Sequence, residues 1–215
     1  MTNAEILSHI DHTILKADAK WEDVAQICEE ALKYHTASVC IPPWYVARAK
    51  QTYPDLNVCT VVGFPLGYEE SAAKAQEAGL ALAAGAREID MVINIAALKN
   101  GDDATVLEDV KNLRTACHSA ILKVIVETCY LTEDEKIRVC KLVTEGGGDY
   151  IKTSTGFGSA GAQLEDIALF KQHIGPNVKI KAAGGIRTRE QMVAFLEAGC
   201  DRIGCSAARI LFDEA

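Results

Sequence analysis

Short apolar runs alternate with stretches of helical periodicity along the whole of this chain, at intervals of roughly 20 to 35 residues. Eight of the runs read as strands: residues 8–12, 37–41, 58–62, 88–93, 121–127, 149–154, 178–183 and 202–205. The segments between them carry helix signals. Thr132 with Glu135, and Thr188 with Gln191, match the capping box, in which the threonine and the residue three later satisfy each other's orphan amides. Gly146 and Gly199 sit where a left-handed residue ends a helix. Trp21, Val24, Cys28, Ala31 and Leu32 recur at helical spacing and define one packed face. Strands alternating with helices predict βα units around a parallel sheet. Eight such units in 215 residues fit an α/β fold of the (β/α)8 TIM-barrel type. A doubly wound open sheet would need a reason for so many equivalent repeats. No linker, charge run or low-complexity tract interrupts the alternation, so one domain over residues 1–215 is expected.

Composition narrows the partners. A hydrophobic content of 49% supports one well-buried core, and a net charge of −8 with a pI near 5.2 offers no field for nucleic acid. A local phosphate site built from lysines and backbone amides remains compatible with that charge. Residues 1–10 lack the basic start and apolar run of a signal peptide, and no apolar stretch approaches the roughly 20 residues of a membrane span. A cytoplasmic protein without a membrane partner is the expectation. The eight cysteines are dispersed without a Cys-x-x-Cys pair and read mostly as small buried hydrophobes, with Cys40 near a strand end and able to face the mouth of a site. The five histidines show no ligand spacing, so no bound metal is expected.

Three strands carry lysines: Lys123 early in the fifth, Lys152 in the sixth and Lys181 in the seventh. Taken singly, a strand lysine is a solvated or edge charge. Taken together they form a pattern, because Lys152 and Lys181 each precede a glycine-bearing loop by a few residues, where such barrels keep their chemistry. Asp11 in the first strand, Asp90 and Asn94 in the fourth and Glu127 in the fifth complete a ring of polar residues. The acids are costly to bury without a partner, and the lysines are the natural counter-charges. Two facing lysines in an enclosed cavity disfavour each other's protonation, leaving one a neutral amine for imine chemistry; alternatively both stay charged and bind an anion. The loops Thr155-Gly156, Ala183-Gly184-Gly185 and Gly204-Cys205-Ser206-Ala207 suit a phosphate held by backbone amides.

Nearly the whole chain, from Ile10-Asp11-His12-Thr13 to the Gly204 loop, resembles the deoxyribose-phosphate aldolases. The resemblance is carried by Ser38-Val39-Cys40, Val62-Gly63-Phe64-Pro65-Leu66-Gly67, the run from Glu88 to Asn94 around Asp90, Lys152-Thr153-Ser154-Thr155-Gly156-Phe157 and Lys181-Ala182-Ala183-Gly184-Gly185-Ile186-Arg187. It implies a class I aldolase that cleaves 2-deoxy-D-ribose 5-phosphate into acetaldehyde and D-glyceraldehyde 3-phosphate, with no cofactor beyond a covalent imine on Lys152. It further implies that Lys181 lowers the proton affinity of Lys152 and joins Asp90 in moving protons. Asp11, Cys40 and Lys123 are expected around the same pocket, and Thr155, Gly156, Gly184, Gly185 and Ser206 on the phosphate. The partners implied are a sugar phosphate, small aldehydes and a second copy of the chain in a homodimer. Two departures stand out. Ser206-Ala207 replaces the two serines that the family often has, and the sequence stops at Ala215 without the longer tail ending in tyrosine that some members carry, which removes any role such a tail has in proton transfer. Two other readings fit the same residues: a Schiff-base aldolase or transaldolase acting on another sugar phosphate, and a non-catalytic phosphate-ligand barrel.

Overall fold

Eight parallel strands close on themselves in sequence order in the computed structural model, which describes residues 1–214. Ala215, and with it the expectation about the chain's end, lies outside the described residues. The strands are β1 (Ile10–Thr13), β2 (Ser38–Ile41), β3 (Val58–Val62), β4 (Glu88–Val92), β5 (Ile121–Ile125), β6 (Tyr150–Lys152), β7 (Lys179–Ala183) and β8 (Arg202–Cys205), with β8 pairing back onto β1. Around them run α1 (Asn3–Leu7), α2 (Trp21–Lys33), α3 (Val46–Thr52), α4 (Ser71–Ala83), α5 (Ile95–Lys99), α6 (Asp103–Cys117), α7 (Glu133–Gly146), α8 (Leu164–His173) and α9 (Arg189–Ala198). The α/β barrel is the one that the alternation predicts.

The main apolar core lies outside the barrel, between strands and helices. Because side chains alternate across a strand, Val39, Ile89, Val124, Ile151 and Ile203 point outward, and they join Val24, Val110, Val143 and Phe170 of the helices in one buried cluster. The alternate positions point inward. There only Cys40, Cys59 and Val61, with Leu15 and Phe64 packed against them, make a small separate apolar cluster. Beside it the interior holds a layer of charged residues, Asp11, Glu88, Asp90, Lys123, Lys152 and Lys181.

The strand ends show how far burial misleads. β3 and β8 match the sequence expectation, but β5 and β6 are shorter than their apolar runs, because Val126, Thr153 and Ser154 stay buried after the ladder has ended. Asn94 lies past β4, where its side chain accepts the Ala97 amide at 3.0 Å and caps α5. Both capping boxes form, at Thr132 and Thr188. Gly199 takes the left-handed position with φ 110°, whereas α7 is ended by Gly147 with φ 82°, not by Gly146. Gly146 lies inside the helix, where a Cβ would stand 2.5 Å from Val110 Cγ1, so it serves the approach of α7 to α6. On α2 the packed face is Val24, Ile27, Cys28 and Ala31; Leu32 is exposed.

Truncation on the outer face of the sheet tests this arrangement. Ile89→Ala is expected to cost about 2–5 kcal/mol in urea unfolding, from the lost methyl groups and the cavity they leave. A loss below about 1 kcal/mol would contradict a core placed between sheet and helices.

Candidate active site

The inward positions of six strands converge on one buried ionic cluster. Asp11, Glu88 and Asp90 supply carboxylates; Lys123, Lys152, Lys181 and Arg202 supply cations. Register brings them level: Asp90 pairs with Lys123 across β4 and β5, Lys152 with Lys181 across β6 and β7, and Lys181 with Arg202 across β7 and β8. Asp90 is the hub. Its Oδ1 accepts from Lys123 Nζ at 2.8 Å, while Oδ2 accepts from Lys152 at 2.8 Å and from Lys181 at 2.6 Å. Lys123 also meets Glu88 at 2.6 Å and Asp11 at 3.5 Å. Lys181 has Asp11 as its second carboxylate, and Arg202 joins Asp11 at 2.6 Å to Glu88 at 3.2 Å.

Burial and charge compete in this cluster, and charge wins. Burial pushes the Asp90 carboxyl up, but Lys123, Lys152 and Lys181 together hold it well below the usual carboxylate range. Asp11 is likewise raised by burial and then pulled down further by Lys123, Lys181 and Arg202. Burial disfavours the Lys181 ammonium, yet Asp11 and Asp90 outweigh it and the proton is held more tightly than in a free lysine. Lys123 follows the same pattern.

The two strand-end lysines share one carboxylate oxygen, since Asp90 Oδ2 stands between them, and Asp11 and Asp90 favour the charged form of Lys181. Lys152 differs from the rest. Among the described residues it meets one carboxylate, and it alone of the three lysines borders the open cavity.

The cavity lies at the C-terminal rim of the barrel, with a volume of about 260 Å³. Lys152 borders it together with Thr155, Gly156, Gly184, Gly185 and Ser206, all five expected from the sequence. Gly184 and Gly185 have φ of 85° and 76°, and a Cβ on Gly185 would meet nothing within 4 Å. Asp11, Cys40, Asp90, Lys123 and Lys181 do not line it. Asp11, Asp90, Lys123 and Lys181 have no exposed surface and form the charged layer beneath the floor, and Cys40 is buried beside Cys59, in register with Thr13 and packed by Leu15, both of which line the cavity. A strand-end position in sequence does not say on which side of the floor a side chain falls. Ala207 is also absent from the lining, and its amide donates to Cys205 Sγ at 3.1 Å, so the Ser206-Ala207 departure falls away from the cavity.

The sequence reading passed over four charged participants. Glu88 shares the parity of Asp90 and Arg202 that of Gly204, a period-two signal sufficient to place both inside the barrel. Lys16 and Arg187 border the cavity from exposed loops, where sequence gave no periodicity to follow. Two donor sets have metal-like spacing: Cys40, Cys59 and Asp90, and Asp11, Cys59 and Glu88. In both, the carboxylates already pair with ammonium or guanidinium groups, and Lys123 Nζ lies 3.2 Å from Cys59 Sγ, so a divalent ion would have to displace bound cations.

Comparison with known proteins adds an independent line. Residues 6–209 match the family model described as DeoC/LacD family aldolase. A relative from Clostridium botulinum named deoxyribose-phosphate aldolase is 59% identical over 97% of this chain and 95% of its own. A solved structure from Coccidioides immitis superposes with a TM-score of 0.95 at 39% identity, over 100% of this chain and 87% of that one. Another, described as a tetrameric deoxyribose phosphate aldolase from Aeropyrum pernix, gives a TM-score of 0.92 at 28% identity, over 99% and 91%.

The cluster fixes a pH dependence of stability. Asp11 and Asp90 titrate below the unfolded value of about 3.9, so their contribution is complete above that pH and is lost as pH falls through it toward their folded values. Lys123 and Lys181 titrate above the unfolded value of about 10.4, so theirs is complete below that pH and is lost as pH rises toward the folded values. Denaturant unfolding across pH is expected to show a plateau bounded by these two losses. Stability that rises on acidification from about pH 5 to 3 would contradict the assignment.

Proposed function

The chain belongs to the DeoC/LacD family of aldolases, and from that premise we propose that it reversibly cleaves 2-deoxy-D-ribose 5-phosphate to acetaldehyde and D-glyceraldehyde 3-phosphate by class I chemistry. One observation carries the assignment of roles: Lys152 alone of the three barrel lysines borders the cavity, and a single carboxylate holds it. Fully ionised, the cluster sets four cations against three carboxylates. Lys152 is the lysine of the cluster that a substrate in the cavity reaches, with a single ion pair to give up.

The neutral amine of Lys152 attacks the C1 aldehyde of the open-chain sugar. Loss of water gives a protonated imine, which is the electron sink. Asp90, kept ionised by its three ammonium neighbours, takes the C3 hydroxyl proton as the C2–C3 bond breaks. The bonding pair moves to C2 and forms an enamine, while C3 becomes the aldehyde carbon of glyceraldehyde 3-phosphate. Protonation at C2 and addition of the water released earlier free acetaldehyde and restore the amine. Lys181, held by Asp11 and Asp90, orients Asp90 and passes protons to and from it during turnover. Gly156, Gly184, Gly185 and Ser206 present the phosphate site, with Lys16 and Arg187 as its counter-charges. Asp11 and Lys123 support the floor from beneath, and Cys40 packs within the barrel.

The proposal keeps the whole chain as one folding unit, without a metal, and includes assembly into a homodimer in the cytoplasm. Sedimentation as a monomer would remove the dimer. No helix among the described residues is long and apolar enough to cross a membrane.

Intact mass after incubation with deoxyribose 5-phosphate and borohydride is expected to show one covalent adduct, which peptide mapping places on Lys152. Labelling that persists in Lys152→Ala would overturn the nucleophile. Lys181→Met is expected to leave the fold intact and lower kcat by at least about a hundredfold, the scale of one lost proton-handling group. An unchanged kcat would remove Lys181 from the mechanism.

A further inference from the structure

We propose that Glu127 is a positioning residue for the loop after β6, and that through Thr155 it decides how that loop receives the sugar chain; the inference rests on the aldolase reading above. Glu127 follows β5 at the rim and is 1% exposed. Its backbone is left-handed, with φ 54° and ψ 67°, a conformation that costs a non-glycine residue on the order of 1 kcal/mol and persists only where its surroundings impose it. Its carboxylate is served by neutral donors. The Thr155 amide approaches the two oxygens at 3.2 and 3.3 Å, the Thr155 hydroxyl donates to Oε2, and the Cys129 thiol lies 3.9 Å from Oε1. A buried carboxylate with such partners is expensive. The mechanism above gives it no role.

What Glu127 achieves is to fix the hydrogen-bonding character of Thr155. A hydroxyl has one proton, and this one is committed to Glu127. The oxygen also accepts the Phe157 amide at 3.0 Å. It therefore retains one lone pair and no proton, so toward the cavity that it lines it acts only as an acceptor. Phosphate oxygens are acceptors too and gain nothing from it. A hydroxyl on the sugar chain is the complementary group, so Thr155 reads the polyol part of the substrate, while the glycine amides and Ser206 hold the phosphate. On this proposal Thr155 meets the sugar chain and leaves the phosphate to its neighbours.

The same carboxylate sets the loop on both sides of Gly156. A Cβ on Gly158 would stand 3.1 Å from Glu127 Cδ, so the chain passes against the clamp again two residues after Gly156. Farther on, the Ala162 amide donates to the carbonyls of Ala183 and Gly184 at 3.1 and 3.2 Å, tying the loop to the one after β7. Displacing Glu127 thus moves Thr155 and Gly156 without touching Lys152 or Asp90.

Glu127→Gly tests this, because glycine accepts the left-handed backbone while the buried side chain with its carboxylate is removed. KM for deoxyribose 5-phosphate is expected to rise at least about tenfold, the scale of one lost charge-assisted hydrogen bond, with a smaller change in kcat. Glu127→Gln, which keeps one acceptor oxygen, is expected to fall between wild type and Glu127→Gly. Acetaldehyde lacks phosphate and hydroxyls, so its borohydride-trapped adduct on Lys152 is expected to form in both variants as in wild type. Thr155→Val is expected to raise KM similarly and to add little on top of Glu127→Gly. An unchanged KM in folded Glu127→Gly would overturn the inference. Equal losses of acetaldehyde trapping and sugar-phosphate turnover would also overturn it, by showing a merely structural role. A wild-type protein that traps no acetaldehyde would remove the aldolase reading itself, and the clamp with it.

Discussion

The carboxylate of Asp90 is the constraint on which the site depends. Two oxygens meet three ammonium groups inside the barrel, each within 2.8 Å. Without it, Lys123, Lys152 and Lys181 would share a space closed to water with too few counter-charges, and the cost of burying one unpaired charge runs to about 3–5 kcal/mol. With it, the three cations acquire distinct tasks. Lys123 is anchored from below by Glu88 and Asp11, Lys181 is locked by Asp11, and Lys152 is left with Asp90 alone at the floor of the cavity. Position in the network, more than residue type, distinguishes the three lysines.

Such a cluster stabilises little by itself, because desolvation offsets most of the attraction between its members. The barrel tolerates it because the apolar core is elsewhere. Outward strand residues and inward helix residues form a continuous shell, with Ile89, Val124, Ile151 and Phe170 fully buried in it. That division leaves the interior free to hold charge and the rim free to hold glycine loops whose left-handed residues border the cavity. Fold stability and chemistry thus rest on opposite faces of the same strands.

Much of this was legible in the sequence, for identifiable reasons. Strand and helix alternation is a long-range periodic signal, and eight repeats allow few architectures. Lys152, Lys181 and Asp90 were conspicuous because charge within an apolar run has few explanations. Depth was not legible. Asp11 lies two residues before the cavity residue Thr13 on β1, and Lys123 pairs in register with Asp90 and Tyr150 inside the barrel, so neither borders the cavity although both belong to strands that frame it. Glu88 and Arg202 could have been found by parity. The clamp on Thr155 could not, since Glu127 reads as the polar end of a strand until the chain is seen to turn left-handed there.

The central claim is that Asp90 leaves Lys152 as the one lysine of the buried cluster open to the substrate. The structure of the borohydride-reduced complex with deoxyribose 5-phosphate tests it most directly. The account predicts a bond from C1 to Lys152 Nζ, with Asp90 facing C3 and the phosphate against the amides of Gly184 and Gly185. A bond to Lys181 or Lys123, or a phosphate seated away from those glycines, would contradict it.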